Sequence, residues 1–173
     1  MKKVLRFVLT LAIVATVFGR DVSAADPIAD WNAIAEKAVK TAGHAPPVAA
    51  LDFAIVHLAI YDAVESIDRR YHRYNSLVPG ASGSLSAAAA KAGHDVLVAL
   101  FPPQSGTIDQ DFSSFLAANH IDALDPGLDV GAKSAAAILA LRANDGRFPP
   151  NPTPFLGSDA VGTHQLSLRP RYH

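Results

Sequence analysis

The chain has no cysteine among its 173 residues. Disulfides, thiolate zinc sites and cysteine nucleophiles are therefore excluded, and packing alone must hold the fold. The chain is nevertheless 50% hydrophobic, which is enough to bury the core of one domain of this size. Strand-like alternation of useful length is also missing, which argues against a sheet.

Common catalytic and nucleotide-binding motifs are missing as well. There is no GxGxxG loop, no Walker loop and no GxSxG nucleophile elbow. None of the seven histidines forms an i, i+4 pair or an HExxH arrangement. Four of them fall at predicted helix ends or in the C-terminal region, where solvated roles are the default: His44, His120, His164 and His173. The sequence predicts no metal site.

The first residues have the features of an export signal. Three cations lie within residues 1–6, and the apolar run Phe7–Phe18 that follows is too short to span a bilayer. Small residues at Val22-Ser23-Ala24 suit signal peptidase. We expect residues 1–24 to be removed as a signal peptide by cleavage after Ala24, with Ala25 as the less favoured site, and the protein to be secreted or periplasmic. The absence of disulfides suits a bacterial periplasm or exterior.

Removal of residues 1–24 changes the charge balance. It takes away four of the 15 Lys and Arg and one of the 16 Asp and Glu, leaving 11 against 15 and a formal net charge of about −4. Nucleic acids and anionic membranes both need clustered cations. This overall balance predicts neither a nucleic-acid partner nor a stable membrane anchor.

Five segments with helical periodicity follow, and capping or stop residues bracket them. They predict an all-α bundle of about five helices within a domain over residues 25–146. The first helix starts at an Asp26 cap and closes at Gly43, and Ser84 caps the third. The segments cover about 27–42, 47–68, 85–101, 107–119 and 125–143. For residues 147–173 the sequence predicts a proline-rich, irregular tail.

Apolar stripes indicate which faces of these helices are buried. The first helix carries Ile28, Trp31, Ala35, Ala38 and Val39 at helical spacing. The third carries Leu85, Ala89, Val96, Leu97 and Leu100, with Lys91, His94 and Asp95 facing another way. Pro102-Pro103 should end the third helix.

The second segment has two apolar faces, which is typical of a helix in the middle of a bundle. One face holds Leu51, Ile55 and Leu58, and the other holds Phe53, Val56, Ile60, Val64 and Ile67. His57, Tyr61, Glu65 and Asp68 share one polar edge and suggest either a ligand or base cluster or, as the favoured alternative, a buried polar seam between helices. Asp62 lies within an apolar face and needs a partner.

The basic run Arg69-Arg70-Tyr71-His72-Arg73 is the densest positive patch in the chain. It suits an anion. It also follows a helix C-terminus, where the helix dipole favours cations, and this dipole and solubility interpretation is the favoured one.

A more specific pattern extends over most of the chain from residue 26 to residue 146. The runs are DPIADWNAIAEKAV, APPVAALDFAIVHLAIYDAVESID, PGASGSLSAAAAKAGHDVLVALFPPQ and GAKSAAAILALRANDG. In order and register they resemble the N-terminal helices of vanadium-dependent haloperoxidase-like proteins of the type 2 phosphatidic-acid phosphatase superfamily. HLAIYDA and VLVALFP carry most of this resemblance.

The resemblance implies that the chemistry belongs to a C-terminal half. That half holds vanadate or phosphate with a lysine, two arginines, backbone donors and a histidine. Here Arg169-Pro170 is the single echo of the first family motif, and Gly162 stands where its lysine would be. The Ser-Gly-His motif and the later arginine and histidine pair are absent, and His173 cannot be assigned as the catalytic histidine.

The resemblance therefore implies an exported helical scaffold that is truncated before the active site. We expect no catalytic, cofactor-binding or metal-ligating residue in it, whereas full-length members bind vanadate or phosphate. Its expected partner is a C-terminal catalytic half, or a second copy through self-association. Two alternatives are a free-standing exported interaction module and one half of a split phosphatase or haloperoxidase that needs a second chain.

Overall fold

The computed structural model describes residues 26–75 and 77–146, and this part of the chain is all-α. The predicted signal peptide and proline-rich tail lie outside the described residues. The chain divides into two compact units, Met1–Leu141 and Arg142–His173. The first unit contains almost all of the described helices. The five α-helices are α1 (Pro27–Ala42), α2 (Pro46–Asp68), α3 (Leu85–Leu100), α4 (Ser105–Ala118) and α5 (Pro126–Arg142).

The ends of α1 form as the sequence predicts. The Asp26 side chain accepts hydrogen bonds from the N–H groups of Ile28 and Ala29, and Gly43 closes the helix in the left-handed conformation at φ 67°. Trp31 and the alanines of the predicted stripe are buried. The apolar stripe predicted that Ile28 is buried. This prediction is wrong, because the residue is 41% exposed beside residues of α2.

The central element of the bundle is α3, whereas the sequence pattern favoured α2. Nine residues are buried in each helix, but α3 has 16 residues and α2 has 23. Small residues explain the difference, since Ala87–Ala90, Ala92 and Gly93 let neighbouring helices approach closely. A Cβ atom at Gly93 would lie 2.9 Å from the ring of Trp31 on α1.

Three predicted exposures along α2 and α3 differ from the structure. Leu51 and Leu85 were expected in apolar faces, but both are exposed. Conversely, His94 was expected on a polar face and is buried. These differences follow from neighbouring helices, which a single periodic pattern does not contain.

Pro102 and Pro103 end α3 and begin a short 3-10 turn at Pro102–Gln104, from which α4 starts. Phe115 and Ile108 bury the inner face of α4. The start of α5 is tied to the start of α3, because Asp125 Oδ1 accepts hydrogen bonds from Gly127 N at 2.7 Å and Ser84 N at 2.9 Å.

The first turns of α5 cross α3 at very short range. A Cβ atom at Gly131 would lie 2.5 Å from the Ala88 carbonyl oxygen and 2.8 Å from Lys91 Cβ. Glycine is therefore required at this crossing. In the second unit, Arg142 ends α5 and pairs with Asp145 at 2.7 Å.

By length and composition alone, α2 is the helix of the described residues that is apolar enough to cross a membrane. The core helix of a soluble protein meets the same criterion.

Candidate functional site

The polar edge predicted on α2 does not form a ligand or base cluster. His57 Nε2 lies 3.1 Å from Asn32 Oδ1 on α1, and the Tyr61 hydroxyl donates to the His72 carbonyl at 2.7 Å. Glu65 accepts from Tyr71 N at 2.7 Å, and Asp68 pairs with Arg70. Each side chain thus has a separate partner, and the four tie α2 to α1 and to the loop after α2.

Asp62 has the partners that its burial requires. The side chain is fully buried, and its two carboxylate oxygens accept from Tyr74 N at 2.6 Å and Asn75 N at 2.9 Å. One turn later, Ser66 Oγ accepts from Val78 N at 3.3 Å. Three buried polar side chains of α2, namely Asp62, Glu65 and Ser66, therefore hold the backbone of the following loop in place.

An open apolar groove runs along the outer face of α2 beside the start of α1. Its volume is about 580 Å³. Ala54, Leu58 and Tyr61 follow the i, i+4, i+7 spacing of one helix face and form its floor, while Ile28 closes one side. The groove is lined by Ile28, Ala54, His57, Leu58, Ile60, Tyr61 and Val64.

The lining of the groove is almost entirely apolar. His57 and Tyr61 bring its only polar side-chain atoms among the described lining residues, and both already bond within the fold. A concave apolar face of this kind suits the side chains of a partner helix.

A second polar cluster joins α3 to α4. His94 Nδ1 lies 2.8 Å from Asp95 Oδ1, and His94 Nε2 lies 2.7 Å from Asp109 Oδ1. Both contacts are hydrogen bonds only if the imidazole carries two N–H groups, since the neutral ring has one. Lys91 Nζ also lies 2.5 Å from Asp95 Oδ1. Phe112 stacks on the His94 ring at 4.5 Å.

This cluster determines the ionisation of Asp95. Burial is the largest single influence and raises the pKa of Asp95, but hydrogen bonds and charge from His94 and Lys91 together outweigh it. The net result is a pKa below the ordinary value for aspartate. The cluster is an ion-paired clasp between two helices.

Of the remaining described histidines and the basic run, His44 has a buried side-chain partner, whereas His120 and Arg69 have an unusual backbone conformation. His44 Nδ1 lies 2.6 Å from the buried Asp52 and joins the α1–α2 turn to α2. His120 has a positive φ of 52° at the end of α4. Arg69 has a positive φ of 56° and ends α2. Within residues 26–75 and 77–146, no group of three or more His, Asp or Glu side chains is placed to hold a metal ion.

Sequence reasoning missed the groove, the clasp and the pairing of His44 with Asp52. No sequence pattern relates Ile28 to Tyr61, because the two residues line the same groove only after α1 has packed against α2. The i, i+1 pair His94-Asp95 gave a weak signal, but Asp109 is 15 residues away from His94. No family model, no curated protein and no solved structure matches the chain.

Proposed function

We propose that this chain is the exported helical scaffold of a vanadium haloperoxidase or acid phosphatase-like protein. On this proposal it has no catalysis of its own and supports a C-terminal catalytic half through the groove on α2. The resemblance of residues 26–146 to that family motivates the proposal.

The observation that carries it is how the HLAIYDA run, residues 57–63, divides in the fold. Ala59 and Ala63 are buried in the core, Ile60 is buried and also lines the base of the groove, and Asp62 holds the following loop. His57, Leu58 and Tyr61 line the open groove. Packing within this chain accounts for the first group. The second group presents an apolar face whose burial would be favourable only against a partner.

A partner half would also supply the charges that the proposed chemistry needs. A multiply charged oxyanion held away from water requires several fixed cations. The arginines at residues 69, 70 and 73 lie on the loop after α2 and are not among the groove-lining residues. Arg169, Arg171 and His173 lie outside the described residues.

The first experiment measures activity of the chain alone. The purified protein is given vanadate, peroxide and bromide, and separately a chromogenic phosphate ester. We expect no turnover above the protein-free rate in either assay. Turnover that Arg169→Ala or His173→Ala abolishes would contradict the scaffold proposal and make the C-terminal region a site.

The second experiment tests the groove. A separately produced C-terminal half with the lysine, Arg-Pro and Ser-Gly-His motifs is mixed with this chain, and binding is measured by calorimetry. Leu58→Lys places a charge in the groove and should abolish binding, whereas Ala140→Lys on an exposed position of α5 should not. Equal binding by both variants would remove the groove from the proposal.

The free-standing interaction module remains the second candidate, and the same groove supports it. The two differ in the partner: a scaffold requires a chain with the oxyanion motifs, whereas a module does not. Activity that appears only in the mixture of the two halves would favour a split enzyme.

A further inference from the structure

The loop after α2 begins with six residues that are all either basic or aromatic. Three are arginines, one is histidine and two are tyrosines, and we call residues 69–74 the basic-aromatic loop. Tyr61 connects it to the groove through the hydrogen bond to the His72 carbonyl, but none of the six residues lines the groove, and nothing in the proposed scaffold function uses their side chains.

Side chains of α2 hold the backbone of this loop through hydrogen bonds. Tyr71 N donates to Glu65 at 2.7 Å, Tyr74 N donates to Asp62 at 2.6 Å, and the His72 carbonyl accepts from Tyr61. Both carboxylates are buried, so their charge is directed at backbone N–H groups inside the fold. The loop is therefore ordered before any partner arrives, and binding costs little conformational entropy.

Most side chains of the loop are exposed to solvent. Tyr71 is 62% exposed and Tyr74 is 53% exposed, although their rings are large and mostly apolar. Arg69, Arg70 and His72 are exposed, and Arg73 is half-buried. The surface thus alternates cations with aromatic rings.

Nearby acidic groups reduce the positive charge of this surface only in part. Asp68 lies 3.4 Å from Arg70 and offsets it. Neither Arg69 nor Arg73 forms an ion pair with any residue that the structure describes, and the one hydrogen bond given for the Arg69 side chain is long, from Nε to the Ser66 carbonyl at 3.5 Å. Two arginines therefore remain to meet an anion, and their long side chains can extend along an interface.

We propose that the basic-aromatic loop docks reversibly on a membrane surface rich in anionic lipid. Arginine recognises the lipid phosphates, and tyrosine rings are favoured at the boundary between headgroups and acyl chains. An acidic peptide would use the cations but would leave both tyrosine rings without a comparable apolar environment. The net negative charge expected for the whole chain does not oppose this docking beyond a Debye length of about 8 Å at physiological salt.

The test uses the full chain, whose lack of cysteine allows one labelled position at a time. His72→Cys carries a polarity-sensitive fluorophore within the loop, and Lys133→Cys carries it on α5 as the control. Vesicles contain phosphatidylglycerol or phosphatidylcholine alone. We expect a blue shift at position 72 with the anionic vesicles, a much smaller shift with the neutral ones, and little shift at position 133. A local label is needed because the full chain, unlike the form expected after removal of residues 1–24, keeps the apolar run Phe7–Phe18, which can attach it to any vesicle.

Arginine and tyrosine variants then separate the two contributions. Arg69→Gln and Arg73→Gln should each weaken the response at position 72 about fivefold, and added salt should do the same. Tyr71→Ser with Tyr74→Ser should remove the blue shift while the circular dichroism stays helical. Lys40→Gln, which removes an exposed cation on α1, should change nothing.

Three outcomes would overturn the proposal. The first is an equal shift with neutral vesicles, and the second is a shift that survives loss of both arginines. The third is displacement from anionic vesicles by a short polyglutamate peptide but not by inorganic phosphate at equal ionic strength, which would assign the loop to an acidic protein.

Discussion

At the scale of single residues, the buried side chain of Asp62 holds the loop that follows α2. Its two carboxylate oxygens each accept a different backbone N–H, from Tyr74 and from Asn75. Asp62→Asn keeps the shape but leaves one N–H facing an amide NH₂ group, so we expect unfolding free energy to fall by about 1–3 kcal/mol. Denaturant titration measures this. Asp68→Asn on the exposed end of the same helix is the matched control and should change stability by less than about 0.5 kcal/mol.

Asp95 predicts a pH dependence at the same scale. Its folded pKa lies below the ordinary value, so its carboxylate contributes stability above the unfolded pKa and loses it as pH falls through the folded pKa. Asp95→Asn should therefore destabilise by about 1 kcal/mol at neutral pH, a figure reduced for solvent screening, and by progressively less below about pH 4. Thermal unfolding between pH 3 and pH 7 checks this, with Asp111→Asn, from an exposed ion pair, as control. A constant difference across that range would contradict the assignment.

At the scale of elements, sequence periodicity predicted all five helices to within about two residues at each end. Caps and prolines explain this success, because Asp26, Gly43, Ser84 and Pro102 act through local backbone chemistry. The burial of α3 was not predictable in the same way. Alanine is a weak signal for any face, and α3 is central because α1, α2 and α4 can approach its small side chains.

The candidate surfaces were predicted less well than the helices. The sequence indicated the basic run and the need of Asp62 for a partner. The groove requires Ile28 to meet α2, and the clasp requires Asp109 to meet His94. Both depend on which helices become neighbours, and a pattern within one helix carries no information about that.

The crossing of α5 and α3 gives a prediction for a pair of elements. Gly131→Ala would place a Cβ atom 2.5 Å from a backbone oxygen of α3, and neither backbone can move without disturbing the helix. We expect a loss of about 1–3 kcal/mol, despite the higher helix propensity of alanine. Gly106→Ala on α4 is the control, since a Cβ atom there meets nothing within 4 Å. It should leave stability equal or slightly higher.

At the scale of the whole molecule, the open groove predicts weak self-association of the purified chain. Ile28 and Tyr61 are exposed on its rim, and burial of such apolar surface between two copies is favourable. Sedimentation of the purified protein should show mass rising with concentration, and Leu58→Lys should return it to a monomer. Persistence of the association in that variant would place the contact elsewhere.

The basic-aromatic loop has a further consequence for proteolysis. Three arginines within six residues offer trypsin three bonds on an exposed surface. A protease must fit an extended segment into its active site, and here the backbone N–H groups of Tyr71 and Tyr74 are bonded to the buried carboxylates of α2. Cleavage should therefore wait for the loop to open, as in other locally structured segments. Brief trypsin digestion should leave residues 69–74 uncut in the native protein, and Asp62→Asn should make the bond after Arg73 an early site.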